Sequence, residues 1–236
     1  MGDENVEDVP DISARWYREV VDFAAAGPDW LRDFAALFTD AAPALLAFLL
    51  LLCWWRARGL PARVMAVTLL GACGVAAAYL ISEAVKLVLQ VERPCRTLTQ
   101  VVTAADCPPP GDWSFPSNHS VVAGAAMAAI LFASGPLGMW ALPIAFAGAA
   151  SRVFVGAHYP HDVIAGLSLG AVVVSLLVAC LGNPAARLVE RLRHNDRAGT
   201  FVLGPPNRER PAGQAPPDDL PTERLPVPHG PRPPRR

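Results

Sequence analysis

The chain has 236 residues, of which 53% are hydrophobic and only 17% are charged, and its formal net charge is −1. Together with a positive mean hydropathy, this composition excludes an ordinary soluble domain and is typical of a membrane protein. No internal repeat, nucleotide-binding loop or nucleic-acid module is recognisable, so we predict no nucleic-acid partner and no cofactor.

The N-terminal segment, residues 1–38, begins acidic and then becomes amphipathic. Residues 1–12 contain five acids and no lysine or arginine, and no basic stretch with a small-residue cleavage site is present, so we predict no cleaved signal peptide. Residues 13–38 carry too much charge for a span, and their aromatic residues suit a pair of helices lying in the membrane interface. A soluble amphipathic hairpin packed on the bundle fits the same pattern.

Five apolar segments follow, each approaching the ~20 residues that cross the hydrocarbon core of a bilayer. They cover roughly residues 37–55, 64–89, 116–133, 137–154 and 163–181. We therefore predict an all-α fold, an integral membrane helical bundle of about five transmembrane helices in residues 39–182. Small residues at four-residue spacing, including Gly124 and Gly166, predict close helix approach and a lipid-facing groove between the second, third and fifth spans.

Arginines predict the orientation of these spans. Arg56, Arg58 and Arg63 follow the first span, and positively charged loops stay in the cytoplasm. Residues 183–236 hold ten arginines, six acids and 12 of the 24 prolines, which predicts a disordered cytoplasmic tail. Five spans then place the N-terminus outside, whereas a sixth span within residues 17–38 would place it inside.

Three short polar clusters lie at the outer ends of these spans: KLVLQVERP at 86–94, PSNH at 116–119 and SRVFVGAHYPHD at 151–162. Together they supply three cations that can hold a phosphate dianion and two histidines that can act as nucleophile and acid. Lys86 is the only lysine, against nineteen arginines, although a lysine at a span's end can also snorkel to the headgroups. Its spacing of seven residues from Arg93 predicts one helical face, with Pro94 ending that helix.

The clusters resemble the three signatures of the type 2 phosphatidic acid phosphatase (PAP2) superfamily, K-x6-R-P, P-S-G-H and S-R-x5-H-x3-D, in order and at the same spacing. Asn118 stands where the common form has glycine. The resemblance spans residues 86–162, about a third of the chain. It implies a membrane lipid phosphatase with no metal.

The resemblance also implies a role for each matched residue. His158 attacks phosphorus and becomes a phosphohistidine, Asp162 orients it, and His119 protonates the leaving oxygen. The phosphate oxygens are held by five further residues, Lys86, Arg93, Arg152, Ser117 and Ser151. Ser117 is in addition a natural helix N-cap, which is the plain structural alternative for it. The two histidines and the aspartate could instead bind a metal, but three neighbouring cations disfavour a divalent ion.

The function that follows is dephosphorylation of a membrane lipid on the outer face of the plasma membrane, with the bilayer and the lipid phosphate as partners. Undecaprenyl diphosphate is the preferred substrate, and phosphatidate or phosphatidylglycerophosphate is the alternative. A non-catalytic lipid binder or transporter on the same bundle is the competing class, although binding alone needs no nucleophile. The oligomeric state stays open.

Some residues outside the signatures also carry predictions. Cys95 and Cys107 share the outer loop between the first two clusters and can form a disulfide there, with two free thiols as the alternative. Glu83 lies one turn below Lys86 and is expected to pair with it, with a role in substrate handling as the alternative. His161 lies off the pattern and is interpreted as interfacial. The other three cysteines, Cys53, Cys73 and Cys180, are expected to be buried apolar residues.

Overall fold

The computed structural model describes residues 9–98, 101–195 and 201–205, and these ranges contain α-helices and no β-strand. The helices are α1 (Asp11–Ala26), α2 (Asp29–Ala57), α3 (Ala62–Leu89), α4 (Pro94–Thr97), α5 (Asn118–Ala133), α6 (Gly135–Phe154) and α7 (Pro160–Asn195). The all-α class is therefore confirmed. Most of the predicted tail, residues 196–200 and 206–236, lies outside the described residues.

Four stretches of the described chain are long and apolar enough to cross a membrane. They are Asp29–Ala57, Ala62–Thr97, Gly135–Phe154 and Pro160–His194, and α5 is a shorter apolar helix. Large apolar side chains cover the outside of the bundle, among them Leu80 and Trp140, which are 66% and 70% exposed. Such a surface belongs in lipid, so the chain is a multi-pass membrane protein.

Helix α5 lies at the centre of the bundle because small residues let its backbone approach the neighbouring helices. A Cβ atom added to Gly124 would lie 2.2 Å from the Leu167 carbonyl oxygen, and one added to Gly170 would lie 2.1 Å from the Val121 carbonyl oxygen. These backbones of α5 and α7 are therefore in direct contact. The predicted lipid groove at this place is wrong, because the space that the small side chains leave is filled by the opposite helix.

The N-terminal segment differs from the predicted pair of interfacial helices. Helix α1 is amphipathic, and its buried face includes Tyr17, whose hydroxyl donates a hydrogen bond to the Gly156 carbonyl oxygen at 2.9 Å. The second predicted helix is not separate, because α2 runs without a break from Asp29 through the first span. The interruption between α1 and α2 falls at Gly27 and Pro28, and Pro43 is accommodated inside α2.

Helix α7 extends beyond residue 183, where the sequence predicts the tail to begin. Its last turns carry Arg193, a buried side chain whose guanidinium joins three backbone carbonyls. It donates to Leu203 at 2.9 Å, to Leu60 at 2.9 Å and to Ala57 at 3.2 Å. Residues 201–205 are thereby held against the connection between α2 and α3, so the first part of the predicted tail belongs to the bundle.

The cysteines that are not in disulfides also differ in part from expectation. Cys53 is buried, but Cys73 and Cys180 are exposed on the outside of the bundle. An apolar thiol on a transmembrane helix loses nothing by facing lipid, so a membrane position does not require burial within the protein.

Candidate active site

The three polar clusters converge at one end of the bundle, around a cavity of about 330 Å³. Five of the predicted site residues line it: Lys86, Arg93, His119, Arg152 and His158. Each comes from a different helix end or loop, so the cavity exists only when the helices are packed. Its opposite wall is formed by Pro43, Tyr79 and Val122, from α2, α3 and α5.

Arg93 reaches the cavity from a loop and not from α3. Helix α3 ends at Leu89 because Gln90 adopts a left-handed conformation with φ 49°. Arg93 is then extended and serves as the N-cap of α4, with Pro94 at the first helical position. The predicted single face for Lys86 and Arg93 is therefore wrong, and Pro94 begins a helix where the sequence predicts that it ends one.

His158 lies in the loop between α6 and α7 and is almost completely buried. Its Nε2 lies 3.3 Å from Nη1 of Arg93, and its Nδ1 lies 3.5 Å from Oδ2 of Asp162. Burial lowers the pKa of His158 to about 4, Asp162 opposes that shift, and the charges of Arg93 and Arg152 add to it. The imidazole is therefore neutral near pH 7, as an attacking nitrogen must be.

Asp162 is fully buried behind His158, at the first turn of α7. Its Oδ2 accepts hydrogen bonds from the Ser114 hydroxyl at 2.5 Å and from the Tyr159 backbone N–H at 2.9 Å. The Ser114 oxygen also lies 3.4 Å from Nδ1 of His158. Ser114 is therefore a member of the site that the sequence did not single out, and no local pattern around it marks that position.

Helix α2 contributes a polar edge to the cavity that was also missed. Nε2 of His119 lies 3.8 Å from Oδ1 of Asp40, and Nη1 of Arg152 donates to the Thr39 hydroxyl at 3.3 Å. The adjacent Thr39 and Asp40 stand at the start of an apolar run, and such polar residues next to a span are a signal that could have found them.

Asp112 lies between two of the predicted phosphate ligands. Its Oδ1 is 2.9 Å from Nη2 of Arg93 and 3.7 Å from Nζ of Lys86. Burial raises the pKa of the Asp112 carboxyl, but the hydrogen bond from Arg93 and the charges of Arg93 and Lys86 outweigh it and keep that pKa below its usual value. The carboxylate of Asp112 is thus paired with both Arg93 and Lys86.

Asn118, the departure from the family pattern, is held against α3. Its Nδ2 donates to Oε1 of Glu83 at 2.5 Å, and its Oδ1 accepts from the Ser82 hydroxyl at 2.7 Å. Glu83 therefore has Asn118 as its hydrogen-bond partner, while Lys86 lies nearest Asp112. The predicted Glu83–Lys86 ion pair is not seen, because the Glu83 carboxylate is bound by the side-chain amide of Asn118.

Two predicted phosphate ligands do not line the cavity. Ser117 is fully buried at the N-cap of α5 and makes no side-chain cap bond, and its backbone N–H donates to the Asp162 carbonyl oxygen at 3.2 Å. Ser151 donates its hydroxyl to the Gly148 carbonyl oxygen at 2.7 Å. Helix rotation explains why Ser151 does not line the cavity. Adjacent residues of a helix do not share a face, and on α6 it is Arg152 that faces the cavity.

The loop between the first two clusters is closed by a disulfide between Cys95 and Cys107, whose Cα atoms are 5.9 Å apart. It lies at the same end of the bundle as the cavity.

A metal site is not evident there, because the described residues contain no group of three or more His, Cys, Asp or Glu side chains that could hold an ion. The charge that faces the cavity comes mainly from cations, which suits an anionic ligand.

A cavity with three cations and a buried His–Asp pair, at the end of a bundle of apolar helices, defines a membrane protein whose site suits an anionic ligand. A model of the PAP2 superfamily matches residues 66–185, just over half of the chain, and all three clusters lie in that range. The chain belongs to the PAP2 superfamily, in its membrane lipid phosphatase branch.

Individual relatives cover the chain only in part. An undecaprenyl-diphosphatase of Sulfolobus acidocaldarius is 37% identical over 87 residues, which are 36% of this chain and 42% of that protein. A decaprenylphosphoryl-5-phosphoribose phosphatase of Mycobacterium tuberculosis is 33% identical over 124 residues, which are 52% of this chain and 66% of that protein. The alignments thus span less than two thirds of the length of these relatives.

The fold is shared with a solved structure. A transmembrane PAP2 type phosphatidylglycerolphosphate phosphatase from Bacillus subtilis superposes with a TM-score of 0.58 at 20% sequence identity. The superposition covers 75% of this chain and 87% of that one. At this identity the similarity shows the helical architecture and says nothing about the substrate.

Proposed function

We propose that this protein is a membrane lipid phosphate phosphohydrolase that works through a phosphohistidine. The observation that carries the proposal is the environment of His158, whose Nε2 borders the cavity beside Arg93 while its Nδ1 faces a buried carboxylate. An imidazole held in this way has a fixed tautomer, with an unprotonated Nε2 that accepts a hydrogen bond from Arg93 at the place where three cations would hold a phosphate.

The reaction has two steps. In the first, Nε2 of His158 forms a bond to phosphorus while the bond to the leaving oxygen breaks, and His119, which is protonated when the phosphate anion is bound beside it, gives that oxygen its proton. In the second, neutral His119 takes a proton from water, and the hydroxide displaces His158 and releases inorganic phosphate. Lys86, Arg93 and Arg152 stabilise the charge on the equatorial oxygens in both steps.

Undecaprenyl diphosphate is the proposed substrate. The two curated relatives above act, by their names, on polyprenyl lipids. A diphosphate carries more charge than a monophosphate and can engage Lys86, Arg93 and Arg152 together. The apolar wall at Pro43, Tyr79 and Val122 suits the first isoprene units of such a lipid.

An outward orientation of the site is part of the proposal. The arginines between α2 and α3, at Arg56, Arg58 and Arg63, lie at the end of the bundle opposite the cavity and favour a cytoplasmic position for that end. The disulfide of Cys95 and Cys107 lies at the cavity end, and disulfides persist in oxidising compartments. Both observations support an extracytoplasmic site in the plasma membrane.

Phosphate release by the purified full-length protein tests the function. We expect release from undecaprenyl diphosphate to be faster than from phosphatidate and phosphatidylglycerophosphate in matched detergent micelles, and unaffected by EDTA. His158→Ala should abolish turnover, and His119→Ala should lower it roughly 10²–10⁴-fold. His194→Ala is the matched control, because that side chain is exposed at the other end of the bundle.

Four results would count against the proposal. Turnover of His158→Ala at the wild-type rate would rule out a phosphohistidine at this residue. A strict need for a divalent metal would rule out the proposed mechanism. Faster release from either glycerolipid would change the substrate to that lipid and leave the role of His158 intact. Binding of all three lipids without phosphate release would instead favour a lipid binder.

A further inference from the structure

Asp162 lies between two histidines, one on each carboxylate oxygen. Oδ2 faces Nδ1 of His158 at 3.5 Å, and Oδ1 lies 3.1 Å from Nε2 of His161. Oδ1 is buried and has no hydrogen bond of regular geometry within the described part of the chain. A buried carboxylate oxygen needs a donor, and Nε2 of His161 is near enough to become one after a small rotation of the ring.

The ring of His161 is held by contacts outside the proposed reaction. Its Nδ1 lies 2.7 Å from the hydroxyl oxygen of Ser13, a buried residue of α1. The ring also stacks on Tyr159 at a centroid distance of 5.6 Å and on Phe115 at 5.7 Å. These contacts hold the plane of the imidazole, so the position of Nε2 beside Oδ1 of Asp162 is set by the fold.

The hydrogen bonds between Ser13 and His161 indicate which ring nitrogen of His161 carries the hydrogen. The Ser13 oxygen accepts the backbone N–H of His161 at 3.3 Å, so the hydroxyl hydrogen is free to be donated to Nδ1 of His161. Nε2 then carries the ring hydrogen and lies 3.1 Å from Oδ1 of Asp162. On the other oxygen, Ser114 and the Tyr159 N–H are donors as well. These donors fix the orientation of the carboxylate.

We propose that His161 is a positioning residue for the phosphatase reaction proposed above, and that Ser13 of α1 holds it in place. By binding Oδ1, His161 keeps the Asp162 carboxylate turned so that Oδ2 meets Nδ1–H of His158. The tautomer of His158 that leaves Nε2 bare depends on this orientation. The S-R-x5-H-x3-D signature leaves residue 161 unspecified, so the role belongs to this chain's own residues.

Two substitutions separate positioning from packing. His161→Phe keeps a flat ring for the stacks on Tyr159 and Phe115 and removes the donor, whereas His161→Gln restores an N–H near Oδ1. With the lipid phosphate that the wild type cleaves fastest, we expect His161→Phe to lower kcat roughly tenfold or more and to leave KM within about twofold. His161→Gln should recover at least a third of the wild-type kcat, and Ser13→Ala should lose a few-fold.

A direct measurement of the tautomer does not depend on activity. Nitrogen-15 NMR of full-length protein labelled at its five histidines, with His158 assigned from the His158→Ala variant, reports which ring nitrogen carries hydrogen. We expect protonated Nδ1 at His158 in the wild type and a mixture of tautomers in His161→Phe. The same tautomer in both proteins would overturn the positioning role, even if no lipid were cleaved and the proposed function had failed.

The kinetic outcomes decide in the same way. Wild-type kcat in His161→Phe, or a change confined to KM, contradicts positioning. Equal losses in His161→Phe and His161→Gln, together with a lower melting temperature in both, would mean that His161 only packs. An inactive wild type on every lipid tested rejects the proposed function, and the NMR comparison then judges the role of His161 alone.

Discussion

Replacing Asp112 by asparagine should strengthen the binding of phosphate. Asp112 places a carboxylate oxygen 2.9 Å from Arg93 and 3.7 Å from Lys86, two of the cations that we propose to hold the substrate. An incoming phosphate must therefore displace an anion of the protein from these cations. In Asp112→Asn the side-chain amide would keep an acceptor oxygen for Arg93 and remove the competing charge, so the phosphate would meet less resistance.

The size of the effect follows from the exposure of the pair. The Asp112 side chain is 43% exposed, so water screens both contacts, and exposed ion pairs contribute about 0.2–1 kcal/mol each. One short and one long contact together give roughly 1 kcal/mol, which corresponds to about a fivefold change in affinity. The competition is thus strong enough to measure and too weak to block the site.

Inhibition of lipid hydrolysis by inorganic phosphate is the assay. The inhibition constant of Asp112→Asn should fall about fivefold relative to the wild type. Asp106→Asn is the matched control, because Asp106 is an exposed acid of the same connection between α4 and α5 that does not line the cavity. Its inhibition constant should stay within about twofold of the wild-type value. Unchanged or weaker inhibition of Asp112→Asn would show that the carboxylate orders Arg93 for the substrate instead of competing with it.

Three further predictions concern the frame around the site. Deleting residues 206–236 should leave the melting temperature unchanged. Deleting residues 198–236 should destabilise the protein by about 1–3 kcal/mol, because buried Arg193 loses its hydrogen bond to the Leu203 carbonyl. Equal melting temperatures of the two deletion variants would refute the contribution of this contact. Cys95→Ser opens a loop whose closure contributes roughly 3 kcal/mol, and an unchanged unfolding free energy would contradict that value. In intact cells, an impermeant thiol reagent should label a cysteine introduced at residue 4 and not one at residue 215, and the reverse result rejects the outward site.

The local sequence was enough to predict the fold class of this protein and many residues of its candidate site. The apolar runs predicted an all-α membrane bundle, because a span must satisfy its own backbone hydrogen bonds over a length set by the bilayer. The spacing within the three clusters predicted most of the charged residues that line the cavity, and His158 and Asp162, four residues apart, lie next to each other at the start of α7. Such properties depend on neighbouring residues only, and a sequence displays them directly.

The tertiary structure alone decided which other residues meet at the cavity. Asp112 and Ser114 come from a loop, Asp40 from α2, and Ser13 reaches His161 across 148 positions of sequence. These contacts depend on how helix ends are brought together, which no local pattern encodes. The same packing turned the predicted ligand Ser151 away from the cavity, because the rotation of a helix is set by the neighbours it packs against.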